Sequence, residues 1–462
     1  MDLVQAAREL FESPSRAFAF RLWDGTVLPP ARDGGARGQV ALLSPRALDA
    51  LLPPASERRL AEAVMDGDIE IEGDAIAVLV SAAQWEGPRA RVSLARALAS
   101  VVVQRALAKG GRGAFAQALV SRLHTVSRDR EAVRHHYDLS DDFYRLFLDP
   151  AMVYSCAYFA EGGEALEQAQ QAKLALVCRK LGLARGERLL DVGCGWGAFL
   201  MHAAERHRVD ALGITLSKNQ LTETKRRLAR SGAASRVAVA AADYRTLSAS
   251  EKFHKVASIG MMEHVGRNRL DEYFGAVHRL MHPGGLFLNQ AIADSSPDAT
   301  TLPWASRREG GFIARYIFPD HDLVPLGQVV AAAERAGFEV RDVESLREHY
   351  DETLAIWLQR LEARFDEAEK LVGRRRARAY RLYLASSAAA FRLGRISVFQ
   401  LLLAKPSAQG RAVSMPRCRA DWYRRAPSAT RAGNAWHARP SQQSASQPGG
   451  TRTSAAHARE GQ

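Results

Sequence analysis

The sequence predicts an α/β protein built on a mostly parallel sheet with helices on both faces. From about residue 165, segments with a helical period of apolar residues alternate with short apolar runs, which is typical of this architecture. One of these runs leads directly into a loop with three alternate glycines, which lets a strand turn sharply into a helix. The predicted helices cover 165–181, 197–206, 217–231 and 268–281, and the predicted strands cover 188–192, 209–214, 236–240, 254–260 and 285–291.

The rest of the chain is expected to add a small domain before this sheet and an extension after it. Strand-like runs mix with turn signals from residue 1 to about 85, which predicts a small α+β domain. A largely helical stretch over 354–392 and a last strand at 398–404 complete the sheet domain. The tail has few large apolar residues, so it should be disordered beyond about 424. The predicted boundaries are 1–115 for the small domain and a basic linker, 116–405 for the sheet domain and 406–462 for the extension.

The chain carries a strong positive charge. It has 64 Lys and Arg against 51 Asp and Glu, a net charge of +13, so we expect an anionic partner, either a nucleic acid or a phospholipid surface. Ten of the basic residues but only two acids fall between Arg89 and Arg134. This stretch is equally compatible with a solvated helix face or linker and with a membrane-surface patch. No nucleic-acid recognition motif accompanies the charge, so a nucleic acid is the weaker candidate.

The cysteines argue against both a disulfide framework and a zinc site. Cys156, Cys178, Cys194 and Cys418 lie far apart with no Cys-x-x-Cys pair, so we predict no metal and a reducing compartment. Acids occur near the N-terminus before any apolar block, and no apolar run approaches the ~20 residues that span a bilayer. We therefore expect a cytoplasmic protein that neither carries a signal peptide nor spans the membrane.

The loop after the strand at 188–192 is the most informative segment. It places an acid, Asp191, before Gly193, Gly195 and Gly197. Glycine lets the backbone approach a ligand closely, so a Cβ at any of the three would occupy space that a ligand needs, and the first amides of the next helix point at its polar groups. The spacing differs from the dinucleotide fingerprint Gly-x-Gly-x-x-Gly. It resembles the S-adenosylmethionine loop of Rossmann-like methyltransferases, with a glycine-rich turn without a ligand as the alternative.

Polar residues follow the next two strands, where ligands of such sheets bind. Thr215 and Gln220 stand where many Rossmann-like methyltransferases have an acid that holds the ribose hydroxyls, although Ser217 can also simply cap the next helix, and both roles are compatible. Asp243 is expected near the adenosine end of the cofactor, or else is a turn residue. The full predicted cofactor-binding set is Tyr154, Ser155, Asp191, Gly193, Gly195, Gly197, Thr215, Leu216, Gln220, Asp243 and Tyr244.

Longer motifs occur in order along the chain. They are His136-Tyr137-Asp138, the run 148–159 with Tyr154-Ser155-Cys156, the run 258–266 with Met262-Glu263-His264, the run 316–319, and His349-Tyr350-Asp351. At these residues the chain resembles the cyclopropane-fatty-acyl-phospholipid synthase family, including its mycolic-acid-modifying branch. The resemblance implies transfer of the S-adenosylmethionine methyl group to the cis double bond of an unsaturated phospholipid acyl chain, forming a cyclopropane fatty acid. It also implies that the N-terminal domain handles lipid.

The resemblance further implies a base for the final step. A carbocation formed on the lipid loses a proton as the ring closes, and the cavity must be dry because water would trap the cation as an alcohol. Members of this family hold a bicarbonate ion as that base, through the backbone amide beside a cysteine, a glutamate, a histidine, a backbone group of an isoleucine and a tyrosine. The corresponding residues here are Cys156, Glu263, Gln290, Ile292 and Tyr350. Two anions share a site only if one is protonated, so Glu263 needs a raised pKa or a shared proton.

Gln290 departs from the family pattern, since it stands at the histidine position. A glutamine amide donates a hydrogen bond to an anion, but it carries no charge and cannot relay a proton. Ring closure is therefore less firmly implied than methyl transfer. Ser387 is a second departure, because relatives carry a cysteine at this position. The mechanism requires neither residue. Without the resemblance, Cys156 would be a buried small residue, Glu263 a helix-start acid and Tyr350 an ordinary half-buried aromatic.

Three other functions stay open at this point. A methyltransferase of the same family could leave a methyl- or methylene-branched acyl chain, or could methylate a small-molecule amine. A non-enzymatic lipid-binding module with a decayed pocket is the third, and Gln290 motivates it. For the main prediction, the partners are a phospholipid surface at the inner face of the membrane and its unsaturated acyl chains, with peripheral attachment. The sequence leaves a homodimer open.

Overall fold

The structure is a computed structural model that describes residues 3–12, 16–31, 35, 37–51, 57–85, 139–295, 311–319, 321–407, 413 and 415–423. Met1–Arg417 form one compact unit and Cys418–Gln462 a second. The basic stretch 89–134, the motif at 136–138 and the tail beyond 423 lie outside the described residues. The boundary at 115 lies outside them too, so the domain limits stay predictions.

A small four-stranded sheet with helices beside it forms the N-terminal part of the first unit. Its strands are β1 (Ala19–Arg21), β2 (Val27–Leu28), β3 (Gly38–Leu42) and β4 (Ile69–Gly73), in the order β2-β1-β3-β4. β1 and β3 are parallel and the other two pairs are antiparallel. The helices are α1 (Leu3–Phe11), α2 (Ala47–Leu51), α3 (Glu57–Asp66) and α4 (Ala75–Gln84). This part has the α+β composition that the sequence predicted.

An eight-stranded sheet organises the rest of the unit. Its strands are β5 (Arg188–Val192), β6 (Asp210–Thr215), β7 (Val237–Ala241), β8 (Phe253–Ile259), β9 (Met281–Asp294), β10 (Val324–Pro325), β11 (Glu339–Ser345) and β12 (Ile396–Ala404). The order is β11-β12-β9-β8-β5-β6-β7, with β10 beside β9. All pairs are parallel except those of β12, which runs antiparallel to β9 and β11. The predicted mostly parallel α/β sheet is confirmed.

Helices of very different lengths accompany this sheet. They are α5 (Asp141–Tyr144), α6 (Leu166–Leu181), α7 (Ala198–His207), α8 (Lys218–Leu228), α9 (Leu270–Leu280), α10 (Phe312–Tyr316), α11 (Leu326–Arg335), α12 (Arg347–Ala363), α13 (Phe365–Val372) and α14 (Arg374–Arg392). The second unit contains α15 (Ala420–Tyr423). Not one of the helices in the described part of the chain has the length and apolarity needed to cross a membrane.

Two elements differ from their predicted extents for identifiable reasons. β9 runs over Met281–Asp294 rather than 285–291, because it pairs with β8 and then β10 along one edge and with β12 along the other. The helical stretch predicted over 354–392 begins earlier and divides into three helices. One break lies at Arg364, and the other lies at Gly373, whose φ of +79° is a left-handed conformation that favours glycine.

Helix α14 connects the small sheet to the large one. Arg381 donates to the Glu70 carboxylate at 2.6 Å and to the Ile71 carbonyl at 2.8 Å, both on β4. One turn earlier along the helix, Arg378 also pairs with Glu70, at 3.2 Å. The buried apolar residues of the small sheet, α12 and α14 form one continuous core. The small sheet is thus packed on the same helix that, on another face, contributes to the candidate site.

Candidate active site

A cleft opens at the carboxyl ends of β5, β6 and β7, which is where ligands of open parallel sheets bind. It contains about 1210 Å³ of space, counting its open mouth. The walls are the glycine loop after β5, the turns after β6, β7 and β8, and the segment before α6. All the predicted cofactor-binding residues except Gly197 line it, namely Tyr154, Ser155, Asp191, Gly193, Gly195, Thr215, Leu216, Gln220, Asp243 and Tyr244.

Each of the three loop positions requires glycine for a different structural reason. All three have left-handed φ values, of +82° at Gly193, +53° at Gly195 and +78° at Gly197. A Cβ on Gly195 would meet no atom within 4 Å, so this residue faces the open cleft. A Cβ on Gly193 would meet Met261 at 3.0 Å, and one on Gly197 would meet Thr224 at 2.5 Å. The close packing against Met261 and Thr224 is thus a reason of its own for glycine at positions 193 and 197, whereas Gly195 is the position at which only open cleft space would receive a Cβ.

The turn after β6 combines a helix cap with a polar pair. The Ser217 hydroxyl accepts a hydrogen bond from the backbone amide of Gln220 at 3.2 Å, so the predicted capping of α8 is confirmed. The Thr215 hydroxyl donates to Gln220 Oε1 at 2.8 Å. Because that oxygen is engaged, the group that Gln220 can offer a ligand is its amide nitrogen. Thr215 and Gln220 both line the cleft while this cap is formed.

Asp243 forms an ion pair with its near neighbour in the chain. Arg245 Nε donates to Asp243 Oδ1 at 2.9 Å, and Arg245 Nη2 donates to Oδ2 at 2.6 Å. Asp243 also caps a short 3-10 turn over Tyr244–Thr246. The turn role is therefore present, yet Asp243, Tyr244 and Arg245 all remain part of the cleft wall.

Lys173 is a buried cation in the cleft wall that the motifs did not reveal. Its Nζ donates to the Ser155 hydroxyl at 2.9 Å, and burial lowers its pKa to about 8. Burial raises the pKa of Asp191 to about 7, although the charge of Lys173 acts against this rise. One sequence signal was available. Lys173 is four residues from both Ala169 and Val177, so it lies on the buried face of α6.

Glu263 lies in a buried 3-10 turn just after β8. Its Oε1 accepts from the Ile292 amide at 2.7 Å, and its backbone carbonyl accepts from the Asp322 amide at 2.9 Å. Its Oε2 is buried without a hydrogen-bond partner among the described residues. Burial raises the pKa of Glu263 to about 7, against a smaller lowering by the Ile292 amide. This carboxyl can therefore be protonated near neutral pH, as sharing a site with an anion requires.

Cys156, Ile292 and Tyr350 are linked through Leu346, the residue between β11 and α12. The Cys156 thiol lies 3.7 Å from the Leu346 carbonyl, and burial raises its pKa far above the usual range of thiols. The Leu346 amide donates to the Val398 carbonyl at 2.8 Å, and Val398 is the register partner of Ile292. The Tyr350 amide donates to the Leu346 carbonyl at 3.0 Å in the first turn of α12.

Gln290 is buried on β9, two residues before Ile292 and therefore on the same face of the strand. Its carbonyl accepts from the Gly260 amide at 2.9 Å, which ties it to the loop that carries Glu263. None of the five predicted catalytic residues lines the cleft directly. The chain neighbours Ser155 and His264 do line it, so Cys156 and Glu263 adjoin the cleft wall.

An aromatic cluster packs beside this wall. The hydroxyls of Tyr154 and Tyr383 lie 3.4 Å apart, and the Tyr154 ring lies 5.2 Å from the Trp357 ring. Burial raises the pKa of Tyr383 to about 12, and the charge of Glu263 adds to the rise, which places this hydroxyl in the field of the carboxyl. Tyr383 was not predicted. Its only sequence signal was the helical spacing from Tyr380 within an alanine-rich segment of α14.

The described residues hold no group of three His, Cys, Asp or Glu that could bind a metal ion. All four cysteines are unpaired, and three are buried while Cys418 is exposed.

Comparison with known proteins identifies the family. The model of the mycolic acid cyclopropane synthetase family matches residues 124–401, more than half of the chain. The chain belongs to this family. A relative named as a probable fatty acid methyltransferase of Pseudomonas putida is 39% identical over 406 residues, which cover 87% of this chain and 95% of the relative. The cyclopropane-fatty-acyl-phospholipid synthase of Escherichia coli is 35% identical over 300 residues, which cover 65% of this chain and 74% of the relative.

Solved structures agree with this membership of the cyclopropane synthetase family. The cyclopropane synthase MmaA2 from Mycobacterium tuberculosis matches with a TM-score of 0.56 and 35% identity, over 60% of this chain and 98% of that one. The mycolic acid cyclopropane synthase CmaA1, complexed with SAH and CTAB, matches with a TM-score of 0.55 and 38% identity, over 59% of this chain and 97% of that one. The predicted family and the Rossmann-like methyltransferase fold are confirmed.

This cyclopropane synthetase family member is an S-adenosylmethionine-dependent methyltransferase, and its cleft fits that cofactor. A Cβ on Gly195 would project into the open space of the cleft. The polar groups of Thr215, Gln220 and Asp243 line the same cleft. These residues, with Asp191, would hold the cofactor. When bound, S-adenosylmethionine supplies an electrophilic methyl group.

Proposed function

We propose that this methyltransferase adds a methylene group to the cis double bond of unsaturated phospholipid acyl chains and so forms cyclopropane fatty acids. The observation that carries the proposal is Glu263. Its buried Oε2 lacks a hydrogen-bond partner among the described residues, and its pKa is raised to about 7 beside the cofactor cleft. A buried, unsatisfied carboxyl is costly unless a ligand completes its hydrogen bonds.

The reaction needs electrons from the lipid and a base from the site. The alkene π electrons would form a new carbon–carbon bond to the methyl carbon as its bond to the sulfonium sulfur breaks. The electron pair of the broken bond would stay on sulfur, S-adenosylhomocysteine would be the leaving group, and the positive charge would pass to the other alkene carbon. Loss of a proton from that methyl group lets its C–H electrons close the three-membered ring. The net change is the gain of one CH₂ and the loss of the alkene. No protein nucleophile is required.

The side chains of the site serve these steps by excluding water and by placing a base. Cys156 is 0% exposed and Gln290 is 2% exposed, and Cys156 belongs to the same apolar core as the tyrosine and tryptophan rings. Such a lining protects a carbocation from capture by water. The Cys156 thiol has a raised pKa and takes no part as a nucleophile.

The base that the family resemblance implies is bicarbonate, and the residues here fit it in part. The orphaned Oε2 of Glu263 and the side-chain amide of Gln290 are groups that can bind a small oxyanion, and the family resemblance adds Tyr350 and the backbone beside Cys156. The Ile292 amide is already taken by Glu263 Oε1, so it holds the carboxyl rather than an anion. Glu263 near its pKa can share a proton with such an anion.

We further propose that the protein acts at the inner membrane surface as a peripheral, cytoplasmic protein. Phospholipid acyl chains are insoluble, and a net charge of +13 favours an anionic surface. The basic stretch 89–134 stays a candidate contact for that surface. Attachment through this stretch should weaken as salt is raised or as anionic lipid is removed, because screened electrostatics carry it.

A second candidate keeps the methyl transfer but ends in a methyl- or methylene-branched chain. Gln290 motivates it, because a neutral amide in place of the family histidine can change which C–H bond of the cation loses its proton. A methylene branch and a ring each release one proton, so the two products differ in the position of that loss. The relative from Pseudomonas putida is likewise named as a fatty acid methyltransferase.

Lipid analysis of a host that expresses this chain tests the proposal. The expected result by mass spectrometry is a gain of one CH₂ with loss of the alkene, and NMR should detect cyclopropane protons. A methyl or methylene branch in place of the ring would favour the second candidate. Unmodified lipid, from a protein that still binds S-adenosylhomocysteine, would contradict both.

A further inference from the structure

A groove rich in arginine lies next to the cofactor cleft. It contains about 1540 Å³ of space, counting its open side, and three separate parts of the chain supply its guanidinium groups. They come from the segment after α5, from the last turn of α8 and the residues beyond it, and from the end of α12. The six arginines are Arg145, Arg226, Arg227, Arg230, Arg360 and Arg364.

The carboxyls of the groove do not balance this charge. Only Asp149, Glu167 and Glu223 line it, so three acids face six guanidinium groups. Asp149 forms its hydrogen bonds with the amides of Ala151 and Val153, at 3.0 and 2.8 Å, rather than with a guanidinium group. Two acids beside the groove, Asp142 and Glu367, pair with Arg145 and Arg364, so five acids stand against six guanidinium groups and a small excess of positive charge remains.

The arginines differ in how they are engaged. Arg226 binds Glu223 through two hydrogen bonds of 2.7 Å, and Arg360 binds Glu167 at 2.8 Å. Arg227 has only a backbone partner by hydrogen bond, the Trp196 carbonyl at 2.7 Å. Arg230 is exposed, and its guanidinium makes no hydrogen bond or ion pair with any residue that the structure describes.

Helix-end electrostatics account for part of this arrangement but not for all of it. Arginine in the last turn of a helix is stabilised by the negative end of the helix dipole, and this applies to α8 and α12. It does not explain why both helix ends and the segment after α5 direct their arginines into one groove. Converging guanidinium groups are typical of sites for phosphate.

The floor of the groove has a different character from its rim. Leu146, Leu148 and Met152 are buried and form an apolar base below the arginines. Met152 also lines the cofactor cleft and has a left-handed φ of +56°, so one residue forms the partition between the two sites. An apolar floor under a cationic rim suits a ligand with a phosphate head and an apolar body, and it does not suit a nucleic acid.

We propose that this groove binds the phosphate-bearing headgroup of an anionic phospholipid. The assignment rests on the proposed function, because it names the surface by which the lipid substrate is held. It does not involve the basic stretch 89–134. Arg230 and Arg364 are the groups best placed to meet a headgroup, since both are exposed on the rim and Arg364 is otherwise paired only with the exposed Glu367.

Vesicle binding by the full chain tests the assignment. The groove variant carries Arg230→Gln and Arg364→Gln, and the control variant carries Arg185→Gln and Arg206→Gln, two exposed arginines outside the groove. On phosphatidylglycerol vesicles, the groove variant should bind about 30-fold more weakly than wild type, from about 1 kcal/mol for each charge near the surface. The control should bind as wild type does, and phosphatidylcholine vesicles should show no difference among the three. S-adenosylhomocysteine affinity should be equal in all three, which shows that the fold is kept.

The outcomes separate a specific role of the groove from a general effect of positive charge. Equal losses in the groove and control variants would mean that only total charge matters, and would overturn the assignment. Unchanged vesicle binding by the groove variant would also overturn it. If inorganic phosphate binds wild type but not the groove variant while vesicle binding stays unchanged, the groove serves a soluble phosphate compound and the headgroup assignment is wrong.

Failure of the groove and failure of the proposed function are distinguishable. Methyl transfer to detergent-dispersed unsaturated phospholipid with normal vesicle binding by the groove variant would overturn the groove alone. Loss of vesicle binding by the groove variant, with no lipid modified by wild type, would support the groove and overturn the proposed function.

Discussion

The amide nitrogen of Gln400 donates a hydrogen bond of 2.9 Å to Oε1 of Gln290 across the β9–β12 pair, and both side chains are buried. This bond occupies the oxygen of Gln290. The part of Gln290 that remains for a ligand is its NH₂ group, which is the part that an oxyanion needs. If Gln290 binds the anion of the proposed reaction, Gln400 is the residue that fixes its orientation.

Restoring histidine at this position should favour ring closure. A Gln290→His variant gains a group that can both donate to an anion and relay a proton, so the fraction of cyclopropane product should stay the same or rise. Product analysis by NMR of the lipids measures this fraction. A wild-type enzyme that makes only branched chains, together with a variant that makes rings, would show that our main proposal is wrong.

Removing Gln400 should affect catalysis more than stability. A Gln400→Leu variant loses one hydrogen bond, but it also removes Oε1 of Gln400, which has no hydrogen-bond partner among the described residues. The free energy of unfolding should therefore change by no more than about 1 kcal/mol. Turnover should fall because the Gln290 amide is no longer fixed in one orientation, with little change in cofactor affinity. A large loss of stability with unaltered turnover of the folded fraction would contradict the positioning role.

Gly195 should be the glycine of the loop most specific to cofactor binding. A Gly195→Ala variant places a methyl group in the open cleft at a φ of +53°, which costs about 1–2 kcal/mol of backbone strain. S-adenosylmethionine affinity measured by calorimetry should fall sharply while the fold persists. Gly232→Ala is the matched control, because its Cβ would also meet open space but at an ordinary φ, and it should bind as wild type does. Equal affinities of the two variants would count against the cofactor assignment.

Glu263 should affect both the turnover rate and the pH dependence of the free energy of unfolding. Glu263→Gln should slow turnover by roughly 10²–10⁴-fold, as loss of a general-base arrangement does, with cofactor affinity little changed. In the folded chain the pKa is raised from 4.5 to about 7 by burial, so the stabilising effect is complete below pH 4.5 and is lost as pH rises through 7. Relative to the variant, wild type should lose about 3 kcal/mol of unfolding free energy over this range.

Denaturant unfolding at pH 5 and pH 8 checks that second expectation. The carboxyl of Asp191 also has a raised pKa, but it is present in both proteins and cancels in the difference. A difference between wild type and Glu263→Gln that stays constant with pH would show that the carboxyl is not held in its neutral form.

The cysteines should differ in reactivity according to their burial. Iodoacetamide should label the exposed Cys418 in the native protein and leave Cys156 unmodified, because the thiolate is the reactive form and burial keeps Cys156 protonated. Mass spectrometry of peptides from the labelled protein locates the adduct. A Cys418→Ser variant should then take up no label, and Cys156→Ala should retain most of its activity. Inactivation of Cys418→Ser by the reagent would show that a buried thiol is reached during catalysis.

The sequence was sufficient for six of the eight strands of the large sheet, because most of them are short, apolar and separated by helices. It did not predict β10, which has two residues, or β11, in which polar residues such as Glu339, Asp342 and Glu344 interrupt the apolar pattern. Asp191 and the glycine spacing also indicated the cofactor cleft, since both depend on contacts within one loop. Lys173 and Tyr383 were beyond such reasoning, because what defines them is packing between α6, α14 and the loop after β8. The pairing of Gln290 with Gln400 likewise joins positions 110 residues apart, and only the strand register reveals it.

The arginine face of α14 has a consequence for how this chain could have evolved. Cyclopropane mycolic acid synthase 1 of Mycobacterium tuberculosis is covered over 96% of its length by 59% of this chain, so the family fold exists in shorter proteins. Here the arginines of α14 meet acids of the small N-terminal sheet, as Arg375 does with Asp66 at 2.8 Å. A surface of guanidinium groups is stable in water whether or not a partner covers it. The apolar residues of α14 that share a core with the small sheet would not tolerate such exposure, so the arginines keep the helix soluble only at the edges of this contact, and the N-terminal module must be retained to cover its centre.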